Sequence, residues 1–257
     1  MEQSLNIVTK EFIAPSGYSY TIREQNGEDE EILSNQADAK DLMNLIKFIA
    51  SIVVKTNATA SGKLLVKDVL TLPLLDKYAI IFQSRIFSIG NIITFEYDWG
   101  GDTGKVQYEQ DLNDFLFEDY SQTPTQEELD NKPDAIPYYP DPSQFRDREI
   151  KLSSGKVVKY DLLDSTAELY MLKLPARKQT RNADLFARNL CLQVEGEWNK
   201  VTNLRMFSLK DMSEIRKEVD TNDPLFTGVT DLENPDTGEI VKYPILSYGG
   251  FFFPTEM

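Results

Sequence analysis

The feature that most constrains the fold is an internal repetition, in which three landmarks recur in the same order in both halves of the chain. Each half has a Ser-Gly turn, an aspartate near a helix start and an Asp-Thr-Gly sequence. The separations are 138 residues for Gly17 and Gly155, 135 for Asp76 and Asp211, and 134 for Asp102 and Asp236. Such turn sequences are common singly, but a nearly constant separation across three features of different type indicates duplication of one unit.

The patterns around these landmarks predict the same elements in each half. Residues 5–24 and 150–158 read as β-hairpins around a glycine turn. Apolar faces at helical spacing follow, and a second hairpin is predicted around each Asp-Thr-Gly. We therefore expect an α+β fold made of two tandem related small domains, each a β-hairpin, helices and a second β-hairpin.

A proline-rich, acidic segment separates the two halves. It contains Pro124, Pro133, Pro137, Pro140 and Pro142, and neither helical nor strand periodicity persists in it. The expected organisation is a first unit over 1–118, a linker over 119–148 and a second unit over 149–257. Apolar residues within the linker predict that part of it packs against a domain.

The charge of the chain limits its partners. Asp and Glu outnumber Lys and Arg by 42 to 27, so the net charge is −15. Such a chain repels phosphate backbones and anionic lipid heads, and we expect neither nucleic acid nor a membrane as partner. The densest basic stretch lacks interleaved aromatic residues and is interpreted as a solvated or protein-contacting loop; its members are Lys173, Arg177, Lys178, Arg181 and Arg188.

Cysteine and leader patterns favour an intracellular protein. Cys191 is the only cysteine, which excludes an internal disulfide and a zinc cage built from cysteines. The first residues lack the pattern of a signal peptide, and no apolar run approaches the roughly 20 residues that span a bilayer.

The sequence offers few routes to catalysis, because it has no histidine. The sharpest enzymatic alternative is an aspartic protease that pairs Asp102 with Asp236, but glycine or proline precedes each motif and a charged residue follows it, which is typical of exposed hairpin tips. No phosphate-binding glycine loop and no calcium loop is found. We expect no catalytic residue, no cofactor and no metal.

The chain ends in an apolar segment with Phe251, Phe252 and Phe253. Two interpretations remain open: insertion of the segment into a neighbouring subunit, or packing on its own domain.

The first half resembles a known family. Residues 74–78, Leu-Leu-Asp-Lys-Tyr, are followed by Ser-Arg-Ile-Phe-Ser-Ile-Gly at 84–90, a strand, a tight hairpin and Asp-Leu-Asn at 111–113. This order is similar to the baseplate hub and hub-assembly proteins of T-even-type contractile-tail bacteriophages. In that family the hairpin often carries a Cys-x-x-Cys zinc site, whereas Asp98, Trp99, Gly100 and Gly101 stand here, so the resemblance does not imply zinc.

The resemblance implies a structural role. The chain would be a hub subunit of the tail baseplate in the virion, assembled in the host cytoplasm, or alternatively an assembly chaperone that is absent from the virion. Its partners would be other tail or baseplate proteins, with an oligomer inside a symmetric assembly. Suspected interaction or fold-defining residues are the two hairpin tips and the aromatic end: Trp99, Gly100, Gly101, Asp102, Gly104, Asp236, Gly238, Phe251, Phe252 and Phe253.

Overall fold

The computed structural model describes residues 8–178, 180–247 and 250–253. It has an α+β architecture of small antiparallel sheets and helices, as the sequence predicts. The elements of the first half are β1 (Thr9–Ile13), β2 (Ser19–Arg23), α1 (Gly27–Ser34), α2 (Gln36–Ala39), α3 (Met43–Ile52), β3 (Val53–Thr56), α4 (Val66–Val69), α5 (Leu74–Ser88), β4 (Ile92–Asp98) and β5 (Lys105–Asp111). None of the helices described is long and apolar enough to span a bilayer.

The remaining elements follow a comparable order after α6 (Gln126–Asn131). They are β6 (Arg148–Lys151), β7 (Val157–Tyr160), α7 (Ser165–Leu172), α8 (Ala183–Ala187), β8 (Cys191–Val194), β9 (Glu197–Lys200), α9 (Leu209–Asn222), β10 (Val229–Glu233) and β11 (Ile240–Pro244). One sheet has the order β1-β2-β3 and another β6-β7-β8-β9, while β4–β5 and β10–β11 form two-stranded hairpins.

The first hairpin of each half has the same turn. The N–H of Gly17 donates to the C=O of Ala14 (2.8 Å), and the N–H of Gly155 donates to the C=O of Leu152 (2.9 Å). The two glycines have φ of 80° and 86°, a region that glycine enters without steric cost. The backbone therefore repeats at the place where the sequence repeats.

The third strand repeats as well, although the sequence did not reveal it. In the first sheet Thr21 pairs with Lys55, and in the second Lys159 pairs with Cys191. Thr21 and Lys159 are 138 residues apart in the chain, and Lys55 and Cys191 are 136 apart. Both separations are close to that of the two turns. Equal strand order is what duplication requires, while β9 is an addition of the second half.

Two predicted helices end earlier than their apolar pattern suggests. The pattern over 38–54 predicts one helix, but α3 ends at Ile52 and Val53 begins β3. The helix expected around 182–192 is limited to α8, and Cys191 already lies in a strand. β3 pairs with β2, about 30 residues earlier in the chain, so a local pattern cannot show it. β8 pairs with β7 and also with the adjacent β9 through a short hairpin at Glu195 and Gly196.

The two halves share one hydrophobic core rather than two separate ones. Phe226, which follows α9, contacts Phe82 and Phe115 of the first half at centroid distances of 5.7 and 6.1 Å. The backbone N–H of Leu74 also donates to the C=O of Leu163 (2.9 Å). The two halves are therefore joined through their interiors.

The segment over 119–148 joins this core. Ile136 and Tyr139 are buried, and the hydroxyl of Tyr120 donates to the C=O of Ile136 (2.7 Å). Arg148, at its end, donates to the side chain of Asn222 (2.8 Å). The expected packing of part of the linker is therefore present, and the segment braces the two halves.

Candidate functional site

The side chain of Asp76 ties the first hairpin to α5. It is the third residue of α5 and is completely buried. Its carboxylate accepts hydrogen bonds from the N–H of Ser16 (2.9 Å), the hydroxyl of Ser16 and the hydroxyl of Tyr20 (2.8 Å). Burial raises the pKa of Asp76 to about 6, although these hydrogen bonds act in the opposite direction. One carboxylate thus holds the β1–β2 turn against the start of α5.

Two residues near the end of α5 fasten it to the neighbouring strands. The buried guanidinium of Arg85 donates to the C=O of Gly90, just before β4. The hydroxyl of Ser88 accepts from the N–H of Gln25 (2.9 Å), just after β2. Together with Asp76, these bonds join the first hairpin, α5 and the start of the second hairpin in one frame.

Helix α9 holds the corresponding turn of the second half with different partners. Asp211 is also the third residue of its helix, and it accepts from Nζ of Lys156 (2.7 Å) and the N–H of Ser208 (2.9 Å). The hydrogen bond from Lys156 is the main reason why the pKa of Asp211 lies well below its usual range. Glu214, one turn later, accepts from the N–H of Ser153 (2.7 Å). In both halves, carboxylates of a helix accept hydrogen bonds from a hairpin turn, but only in the second half is one of the donors a cation.

Hydrogen bonds of Trp99 close the loop of the β4–β5 hairpin. The N–H of Trp99 donates to the C=O of Gly104 (2.9 Å), and its indole Nε1 donates to the hydroxyl of Tyr108 (2.8 Å). Gly100, Gly101 and Gly104 have φ of 67°, 54° and 63°. Turn geometry and aromatic packing therefore close the loop.

The hairpins β4–β5 and β10–β11, called the paired hairpins below, lie side by side. The rings of Phe95 and Tyr243 stack with centroids 4.8 Å apart and planes 9° apart. The hydroxyl of Tyr108 donates to the C=O of Glu233 (2.8 Å), so the residue that closes the first loop also contacts the second hairpin. The second hairpins of the two halves form one surface.

Asp102 and Asp236 are both exposed on the loops of the paired hairpins. The loops adjoin, since Oγ1 of Thr103 lies 3.4 Å from Oδ1 of Asn234. An aspartic protease instead needs two carboxylates enclosed together, so that they share a proton. The exposed positions of the two aspartates do not provide that environment.

Strand pairing shifts the correspondence of the two Asp-Thr-Gly sequences by one residue. The last pairs before the loops are Asp98–Lys105 and Glu233–Ile240. Counted from those pairs, Asp102 occupies the place of Thr237 rather than of Asp236. Gly104 ends the first loop, whereas Gly238, with φ of 71°, lies one residue before the end of the second.

No family model, curated protein or solved structure matches the chain. Within the residues described, no group of three or more acidic or cysteine side chains is arranged to hold a metal ion. A functional proposal therefore rests on the motifs and on this geometry.

The aromatic end packs on the chain itself. Phe251 is fully buried and contacts the ring of Phe82 (5.4 Å between centroids), while Phe252 contacts Phe48 (5.7 Å). Phe253 is half-buried. Of the two interpretations left open by the sequence, packing on the chain is the arrangement observed. The segment packs on the first half of the chain, however, and not on the second half to which it was assigned.

The basic stretch separates into different environments. Lys173 forms an exposed ion pair with Asp41 (3.2 Å), and Arg188 is buried in an ion pair with Asp223. Arg177 and Lys178 are exposed on the lining of a cleft. Sequence reasoning grouped these residues because they are close in the chain, and it had no signal for the cleft.

Proposed function

We propose that the chain is a structural component of a contractile-tail baseplate, a hub subunit that acts through protein–protein contacts. The observation that carries the proposal is the role of the residues behind the family resemblance. Asp76, Arg85 and Ser88 each bind a neighbouring element of the first half. A motif whose members hold a frame together supports an architectural relationship rather than a shared catalytic centre.

The paired hairpins are the surface that we assign to baseplate contacts. They bring the second hairpins of both units together, so that one chain offers two related loops to its neighbours. Ile92 and Ile240 expose 47% and 62% of their surface on these hairpins. Ile240 adjoins the loop of its hairpin, whereas Ile92 lies at the other end of β4. Exposed apolar side chains on a polar surface are typical of surfaces that bind proteins.

The test is an inventory of purified particles of the phage that encodes the chain. A hub subunit is recovered by mass spectrometry from tails and intact virions in a constant ratio to other baseplate proteins. Recovery from infected lysate but not from particles would contradict the proposal and favour the alternative of an assembly chaperone. An Asp102→Asn and Asp236→Asn double variant should assemble normally, since neither carboxylate has a catalytic role here.

A surface variant tests the contact region directly. Ile240→Lys should reduce the yield of complete tails, because it places a charge in the assigned contact. Leu209→Lys is the matched control, since Leu209 is 89% exposed on α9 and lies outside the paired hairpins. If both variants fold and give equal yields of complete tails, the paired hairpins are not the contact surface.

A further inference from the structure

A cleft of about 1030 Å³ opens in the second half beside α7 and α8. Its lining includes the apolar side chains of Tyr170, Leu174, Phe186 and Val201. Tyr170 is 44% exposed, so an aromatic face is available to an incoming group. The volume is at the upper end of small-molecule sites, which leaves room for several side chains of a peptide.

Besides these apolar side chains, the lining has four cations and two carboxylates, Asp161 and Asp164, in a chain that is strongly acidic overall. Arg177, Lys178 and Lys200 line the cleft and are exposed. Among the described residues, none of these three takes part in a salt bridge, and Nζ of Lys200 donates only to a neutral amide, Oδ1 of Asn189 (2.9 Å). Arg146 differs, because it is paired with Asp164 (2.6 Å). The cleft thus has three positive charges without a carboxylate partner in the described part of the chain.

We propose that this cleft binds an acidic peptide segment of a partner protein. Carboxylates of the segment would meet Arg177, Lys178 and Lys200, and an apolar side chain would cover Tyr170 and Phe186. The inference stands on the cleft alone and holds whether or not the chain is a baseplate protein.

Charge and lining together favour a short peptide over a nucleic acid. With a net charge of −15, the chain as a whole repels a long polyanion, which extends well beyond the cleft. A short segment is affected mainly by the charges within about 10 Å, the screening length at ordinary salt. The aliphatic side chains of Leu174 and Val201 in the lining also favour a peptide, whose own aliphatic side chains can pack against them.

The experiment is fluorescence anisotropy with a labelled peptide that alternates glutamate and leucine. We expect saturable binding to the full chain, and the affinity should fall as salt is raised. Arg177→Glu with Lys178→Glu should weaken binding by about tenfold or more, because two attractive pairs become repulsive. Tyr170→Ala should weaken binding as well, with a smaller dependence on salt. Thermal melts establish that each variant is folded.

The matched control reverses two exposed lysines away from the cleft. Lys55→Glu with Lys63→Glu changes the net charge by the same amount and should alter the affinity less than about twofold, since neither lysine lines the cleft. Equal losses in both double variants would show a general charge effect and overturn the proposal. Absence of binding to the wild-type chain would overturn it too, as would tighter binding of single-stranded DNA than of the peptide.

Discussion

The two halves place an aspartate at the same point and surround it with different chemistry. Asp76 and Asp211 are both the third residue of a long helix, and both are covered by protein. Asp76 is held only by neutral donors, whereas Asp211 is paired with Lys156. Burial dominates at the first and raises its pKa, while the lysine dominates at the second and lowers it.

The comparison separates the position of the carboxylate, which is the same in both halves, from its hydrogen-bond partners, which differ. The link between a helix and a hairpin turn is kept in both halves, because it positions the sheet against the helix. The charge of the donors differs, because Asp76 accepts from neutral groups and Asp211 accepts from the ammonium of Lys156. Comparing matched variants of the two aspartates therefore separates the contribution of geometry from that of ionisation.

The largest expected effect comes from removing the buried acceptor. Asp76→Ala leaves the N–H of Ser16 and the hydroxyls of Ser16 and Tyr20 without their acceptor, and we expect the free energy of unfolding to fall by about 4 kcal/mol. Asp211→Ala should cost clearly less, because Lys156 is a third exposed and regains water, while Ser208 remains the N-cap of α9. Urea denaturation at neutral pH measures both. Equal costs would mean that the two links are not energetically different.

A second comparison concerns the two ion pairs that join the halves. Lys77 is 1% exposed and pairs with Glu168, so Glu168→Gln leaves a buried ammonium unpaired and should cost about 3 kcal/mol. Lys173 and Asp41 are both more than half exposed, and Asp41→Asn should change stability by less than about 0.5 kcal/mol. Urea denaturation measures both losses of stability. Similar losses for Asp41→Asn and Glu168→Gln would show that burial does not determine how much each ion pair stabilises the chain.

Local patterns were enough to predict the hairpins and the two long helices. The turns at Gly17 and Gly155, and the start of α9 at Ser208, depend on residues within a few positions of one another. The spacing of Ser165 and Glu168 in the sequence predicts a capping box with Ser165 as the N-cap of α7, and this prediction is wrong. Asp164 caps α7 by accepting from the N–H of Ala167 (2.8 Å), and Glu168 instead reaches Lys77 in the other half.

The sites themselves depended on contacts that no local pattern records. Asp76 was a landmark of the repeat, but its burial follows from Tyr20, which is 56 residues away. The side-by-side packing of the hairpins joins Phe95 and Tyr243 across most of the chain. A single sequence shows which residues recur and not which of them touch.

The third comparison is the response of the two aspartates to pH. The pKa of Asp76 is about 6 in the folded chain and about 3.9 in an unfolded one, so the folded state binds the proton more tightly between these values. This proton-linked contribution to stability is therefore present at low pH and is lost as pH rises through this window, whereas the hydrogen bonds from Ser16 and Tyr20 remain. Asp211 has the opposite sign: its contribution is present above about pH 4 and is lost as pH falls.

Asparagine variants measure these contributions by difference. The free energy of unfolding of Asp76→Asn, minus that of wild type, should increase by on the order of 2 kcal/mol between about pH 4 and pH 7. The same difference for Asp211→Asn should increase as the pH falls below about 4. The wild type then loses the ion pair of Asp211 with Lys156, which the asparagine variant cannot form. Urea titrations at a series of pH values give both curves. Parallel curves would show that Lys156 does not govern the second site.

The smallest effect tests whether the two turns are equivalent apart from their carboxylates. Gly17 and Gly155 have φ of 80° and 86°, and a Cβ at either position would meet no atom within 4 Å. The cost of alanine is thus the cost of the backbone conformation alone, about 1 kcal/mol at each site. Gly27→Ala is the control, since Gly27 is equally open, lies in α1 and lacks the positive φ, so it should be neutral or slightly stabilising. If Gly17→Ala and Gly155→Ala differ by more than about 0.5 kcal/mol in thermal or urea unfolding, the turns are not interchangeable. Equal costs would mean that the two turns contribute equally to stability, so that the two helix–turn links differ only in the partners of Asp76 and Asp211.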